Sequence, residues 1–190
     1  MKNAKTLLIL WLGTIYLTAC GLSQSTFPAF DELIFDDSMT HLAAKDGHKW
    51  TIDYEYPDKS TFAGVVRHIS HWHNNNVPFM SHDLLITSGD YADPAIVNTW
   101  VFDHKYFYHY KKGHPDGKIN LLHIFPASPE VYQQLQQIRK WDNVSISGRE
   151  ILKINLIDEN GENAGYFKDK GCNTILVTNV TLLEPIFPEP

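Results

Sequence analysis

From Trp50 onward, apolar side chains fall mostly on every second residue. Trp50, Ile52, Tyr54 and Tyr56 alternate with Thr51, Asp53 and Glu55, the pattern of a strand with one buried face. Phe62–Trp72, Asp83–Thr87, Thr99–Tyr110, Lys118–Phe125, Val144–Ile157 and Thr174–Leu183 predict six further strands. Ser88-Gly89-Asp90, Asp93-Pro94, the Gly113–Gly117 stretch and Asp158-Glu159-Asn160-Gly161 supply the turns between them. Gly148 interrupts the long strand and predicts a bulge or a sharp bend.

One segment has helical spacing instead. Ser128 is placed to cap it, Pro129 takes the favoured first position, and Glu130 suits the positive end of the dipole. Val131, Leu135 and Ile138 then form one apolar stripe, with Arg139 and Lys140 in the last turn. The predicted fold is therefore mainly β (α+β): a small antiparallel β-barrel or sandwich, OB-like, with one helix near 128–140. Small barrels of the OB type leave room for such a helix between two groups of strands. Asn143–Gly148, opening the long strand after the helix, resembles a strand entry of those barrels.

The N-terminus reads differently. Lys2 and Lys5 precede an apolar run from Leu7 to Leu17. That run has the length of a signal-peptide core and falls short of the ~20 residues that span a bilayer. Leu17-Thr18-Ala19-Cys20 follows and resembles the lipobox of bacterial lipoproteins. The resemblance implies cleavage before Cys20 and acylation of Cys20, with two or three chains giving stable anchoring. It divides the chain into a signal peptide (1–19), a lipidated Cys and flexible tether (20–47), one β-rich globular domain (48–184) and a Pro-rich tail (185–190). By resemblance to enterobacterial lipoproteins, the lack of Asp after Cys20 implies sorting to the outer membrane, facing the periplasm, in a Gram-negative cell; a single-membrane bacterium would hold it on the outer leaflet. Residues 82–184 also resemble a family of uncharacterised bacterial proteins. The resemblance rests on Asp83, Gly89, Trp100–Tyr108, the His123–Pro126 step, the helix, Val144–Gly148 and Cys172–Val180. Lys140-Trp141-Asp142 departs from that pattern, and the family has no known activity to lend.

Composition narrows the function. The 190 residues carry 16 basic and 22 acidic side chains. After cleavage, 171 residues would hold 14 and 22, a formal charge of −8. A net negative chain argues against general binding to a phosphate backbone, so no nucleic-acid partner is expected. Two cysteines exclude a disulfide scaffold. With Cys20 acylated, Cys172 would be the remaining thiol, expected as a small buried hydrophobe.

Ten histidines are many for this length, and His68, His71 and His73 lie closest together. On a strand, His71 and His73 share a face and can hold one Zn²⁺ or Cu²⁺, with His82, Asp83, His104 or His109 as a third ligand. No Cys-x-x-Cys, His-Glu-x-x-His or Gly-x-Ser-x-Gly is present. Asp158–Asn163 lacks the EF-hand spacing, and a Cys172–His123 thiol pair has no supporting motif. The aromatic run Trp100–Tyr110, flanked by Lys105, Lys111 and Lys112, reads either as core or as a stacking platform for sugars or single strands. The expectation is a non-enzymatic binding or structural subunit, anchored to the membrane by lipid and partnered with another envelope protein. A metal-binding lipoprotein is the alternative, and an envelope hydrolase ranks below it.

Overall fold

A computed structural model of the chain describes residues 33–71, 77–168 and 171–187. The lipobox and Cys20 lie outside these residues, as do Trp72 and His73. Among the described residues eleven strands form: β1 (Leu33–Phe35), β2 (His41–Ala44), β3 (Lys49–Tyr54), β4 (Ser60–His71), β5 (His82–Gly89), β6 (Val97–Phe102), β7 (Lys105–Tyr110), β8 (Gly117–Pro126), β9 (Asn143–Ile157), β10 (Asn163–Phe167) and β11 (Asn173–Leu182). One helix, α1 (Pro129–Gln137), separates β8 from β9.

Five of these strands close into a barrel. The hydrogen-bonded order runs β4, β5, β8, β11, β9 and back to β4. Only the β8–β11 pair in this circuit is parallel. Five strands in this order, with a helix after the third, form an OB-like barrel. The expected class holds, and the barrel alternative is the one realised.

The alternation of apolar positions explains the closure. Val66, Leu84, Ile86, Leu122, Ile124, Val144, Ile146, Ile175 and Val177 point inward and are fully buried. Val131, Leu135 and Ile138 of the helix stripe join the same core. Ser128 caps α1, its hydroxyl accepting from the Val131 N–H at 3.3 Å. Ser128→Ala is expected to cost about 1 kcal/mol, and a melting curve should move down by about 2–4 °C. An unchanged midpoint would mean that tertiary packing alone sets the helix start.

The helix is shorter than the sequence predicts. Ile138 is already extended, so Arg139 and Lys140 lie beyond the last turn. Asp142 draws the chain away, its carboxylate accepting from the Arg139 N–H at 2.7 Å.

β9 is long enough for two jobs. Its first half pairs with β4 and β11 inside the barrel. Beyond Gly148 it parts from β4, stays with β11 as far as Ile151, and goes on to pair with β3 and β10. The irregularity expected at Gly148 takes the form of a register shift opposite it, in β11 between Val177 and Asn179.

Residues 33–44 correct the flexible tether expected over 20–47. β1 and β2 pair with each other, and β2 pairs with β3. They cover a second core of Trp50, Phe79, Phe125 and Leu176. The Trp50 ring meets Phe79 edge-on at 5.4 Å. The short apolar run Leu33-Ile34-Phe35 amid acidic residues is thus a sheet edge.

Candidate functional site

The outer face of β5 and β8 is where polar chemistry gathers. Leu84 and Ile86 face the barrel interior, so Asp83 faces out. Asp83 and His123 are direct cross-strand partners in the β5–β8 ladder, which puts their side chains on one face at short range. Both are buried, at 2% and 4% exposure.

A third side chain arrives from the connection between β5 and β8. β6 and β7 form a separate two-stranded hairpin in which Phe102 pairs with Lys105. The two-residue turn is Asp103-His104, with φ of 49° and 56°. Both residues therefore occupy the left-handed region, as a tight primed hairpin turn requires. Asp and His tolerate that region better than most residues. The turn carries the His104 ring onto Asp83, Nδ1 to Oδ2 at 2.6 Å. His123 Nε2 lies 3.5 Å from the other carboxylate oxygen. One ligand-type atom from each of Asp83, His104 and His123 falls within 4.8 Å of the others.

The base of the hairpin is fixed by Arg67, buried at 5% exposure. Its guanidinium donates to the carbonyls of Tyr91 (2.7 Å), Ala92 (3.1 Å) and Val97 (3.0 Å). Tyr91 also meets Tyr108 edge-on at 5.5 Å.

The opposite hairpin face is open. Cross-strand register puts Asn98 with His109, Trp100 with Phe107 and Phe102 with Lys105 on that face. Trp100, Phe102 and Phe107 are exposed. The Trp100 and Phe107 rings stack at 5.7 Å with 13° between their planes. From Val97 to Lys118 the chain carries four lysines against two aspartates, a formal +2. The aromatic run is therefore not core on this face. The sequence reading joined it into one strand because it passed over the Asp103-His104 turn.

The histidines singled out in sequence fare differently. His68 and His71 lie on β4 and pair with Leu85 and His82. His68 is half-buried, and burial holds its imidazole below the ordinary value. His71 is exposed and its ring packs 4.9 Å from that of His82. Among the described residues, neither joins a three-ligand group. Cys172 is half-buried rather than in the core, and its thiol donates to the His104 carbonyl at 3.6 Å. His123 was legible only as a partner for that thiol. Its real signal is a polar ring inside the apolar run Leu121–Phe125, opposite an aspartate in another such run.

No protein-family model matches the chain. A comparison with curated proteins finds no match. Among solved structures it is similar to two crystal structures of the mitochondrial single-stranded DNA binding protein Rim1 of S. cerevisiae. Identity is 10% in both, covering 70% of this chain and 99% of the other, with TM-scores of 0.31 and 0.33. These neighbours are single-stranded DNA binding proteins, not envelope lipoproteins. Three expectations differ from what those neighbours are named for and are not carried further: an envelope binding or structural subunit, a membrane and envelope partner with no nucleic acid, and an outer-membrane location facing the periplasm. The lipoprotein metal-binding and hydrolase alternatives go with the first. The OB-like assignment rests on this chain's own strand order.

Proposed function

We propose that this OB-like barrel binds single-stranded nucleic acid, with the open face of the β6–β7 hairpin as its stacking surface. The observation that carries the reading is the row of exposed rings, Trp100, Phe102 and Phe107, on a locally basic hairpin. Unpaired bases expose flat faces that stack on such rings at ~1–3 kcal/mol per base. Lys105 sits on the same face, and Lys111 and Lys112 follow β7 directly and are exposed. They supply the charge a phosphate backbone needs where the rest of the chain is acidic. The second and third barrel strands, β5 and β8, are also where OB barrels bind oligonucleotides and oligosaccharides. The lysines favour the first of those ligands over the second.

The test is fluorescence anisotropy of labelled oligo-dT and oligo-rU at two salt concentrations, with the full chain. Saturable binding that weakens with salt is expected. Trp100→Ala should weaken it about tenfold, in keeping with the loss of one stacked base. Lys111→Gln with Lys112→Gln should flatten the salt dependence. Absence of binding to either oligomer at low salt would end the proposal. Binding of a chito-oligosaccharide that is lost in Trp100→Ala, with no oligonucleotide binding, would reassign the surface to glycans.

A further inference from the structure

We infer that Asp83, His104 and His123 form a site for a divalent first-row transition metal, Zn²⁺ in the first instance, which fastens the hairpin tip to the barrel. The inference is independent of the stacking surface on the opposite face of the hairpin.

The donor set is right for such an ion. One carboxylate and two imidazoles are borderline ligands that suit Zn²⁺. They come from three separate elements: β5, the hairpin turn and β8. The distances also fit. Ligand bonds of ~2.0–2.1 Å in tetrahedral geometry put neighbouring donor atoms about 3.3 Å apart. Asp83 Oδ1 and His123 Nε2 stand 3.5 Å apart, long for a strong hydrogen bond and close to the spacing of two ligands on one ion. Asp83 Oδ1 is buried and completes no hydrogen bond among the described residues. A buried carboxylate with an idle oxygen is costly unless something compensates it.

His104 supplies the moving part. Its Nδ1 contacts Asp83 Oδ2 at 2.6 Å. A carboxylate oxygen only accepts, so this contact carries a proton on the ring nitrogen. A metal ion at Nδ1 takes the place of that proton, which moves to Nε2 of the neutral ring. The His104 side chain is 46% exposed, which leaves a way in from solvent past the hairpin tip. Three protein ligands leave a fourth position for water. The left-handed backbone of His104 is also informative. A strained, non-glycine turn residue persists where its side chain has a task that the surroundings enforce.

The experiment is a zinc titration of the full chain after removal of metal with a chelator, read by competition with a chromophoric indicator. Co²⁺ serves as the spectroscopic probe. One equivalent should bind with a dissociation constant in the micromolar range or below, and the melting temperature should rise with added Zn²⁺. His104→Gly is the decisive variant, because glycine fits the turn without strain and the barrel is untouched. In chelator it should melt somewhat below the parent, because Asp83 loses the His104 donor; it should bind Zn²⁺ at least tenfold more weakly and lose the zinc-dependent rise in melting temperature. Asp83→Asn should weaken binding by at least as much. His68→Ala with His71→Ala should leave it unchanged. No saturable equivalent in the parent would overturn the inference. So would equal affinity in His104→Gly, or loss of binding in the β4 double variant instead.

Discussion

Gly148→Ala is expected to be among the most damaging changes of a single methyl group in this chain. The added carbon would stand 2.8 Å from the Leu176 carbonyl carbon and 2.9 Å from Val177 Cα, and closer still to the Leu176 carbonyl oxygen. All three atoms are backbone of β11, so no side chain can rotate out of the way. The site is also the last point at which β9 is paired with β4, and it has a strand on both sides. Gly148 pairs with Val177 of β11 and with Ser60 of β4. Relief therefore means moving a strand and losing ladder hydrogen bonds on one side. Overpacking of this kind costs 1–3 kcal/mol and sometimes more; we expect about 3 kcal/mol, at the upper end. Urea denaturation measures it directly. Gly161→Ala is the control, since its new methyl meets nothing within 4 Å and only the φ of +83° is strained. That strain is worth ~1–2 kcal/mol. Equal losses in the two variants would show that β9 and β11 yield at Gly148.

The second large effect is acid sensitivity centred on His82. Its ring is buried at the junction of β4, β5 and α1. Nδ1 meets the Ser81 hydroxyl at 2.8 Å, and Nε2 meets the side-chain amide of Gln136 at 3.0 Å. Burial, helped by the nearby His71, pushes its pKa down to about 4. The unfolded chain takes up this proton near pH 6.5, whereas the folded chain resists it until about pH 4. Above pH 6.5 the residue is neutral in both states and costs nothing. As pH falls from 6.5 to 4, the unfolded state gains a proton that the folded state does not. The fold then loses about 3 kcal/mol, reached in full below pH 4. Carboxylates held below their ordinary values, such as Asp46 and Asp158, weaken the fold only at lower pH, as they become protonated. Comparing unfolding free energies at pH 7.5 and 4.5 for the parent and His82→Gln isolates the effect. The parent should lose stability across that interval and the variant much less. Identical losses would mean that the ring protonates without penalty.

Much of the barrel is legible in the sequence, because a half-buried strand writes its geometry as alternation. Six of the seven predicted segments fall on single strands, the seventh divides at the Asp103-His104 turn, and Gly148 lies opposite a register shift in β11. β1, β2 and β10 escape for a common reason. They are short, and their burial is decided by partners distant in sequence: Leu42 is buried because it lies opposite Trp50, not because of its neighbours. The site is legible only in pieces. Asp83 and His104 were named as ligands for a histidine pair on β4, and His123 as a partner for a thiol. What sequence does not carry is the register that sets Asp83 opposite His123. Nor does it carry the turn that folds His104 back over them. That turn uses Asp-His where Asn-Gly or Asp-Gly would have announced it.

The parallel pairing of β8 with β11 has a consequence for how the chain is made. Asn173 to Val177 of β11 each meet a β8 partner 51 positions earlier, and β11 also fills the place between β8 and β9. During synthesis, β4, β5 and β8 emerge first and can zip together by adjacent antiparallel pairing. The sheet then stands open, with one apolar edge of β8 uncovered, until residues 173–182 clear the ribosome. Such an edge is a template for pairing with another chain. The last of the described strands to be translated is thus the one whose arrival covers that edge. Translational pausing ahead of β11 would lengthen that exposure.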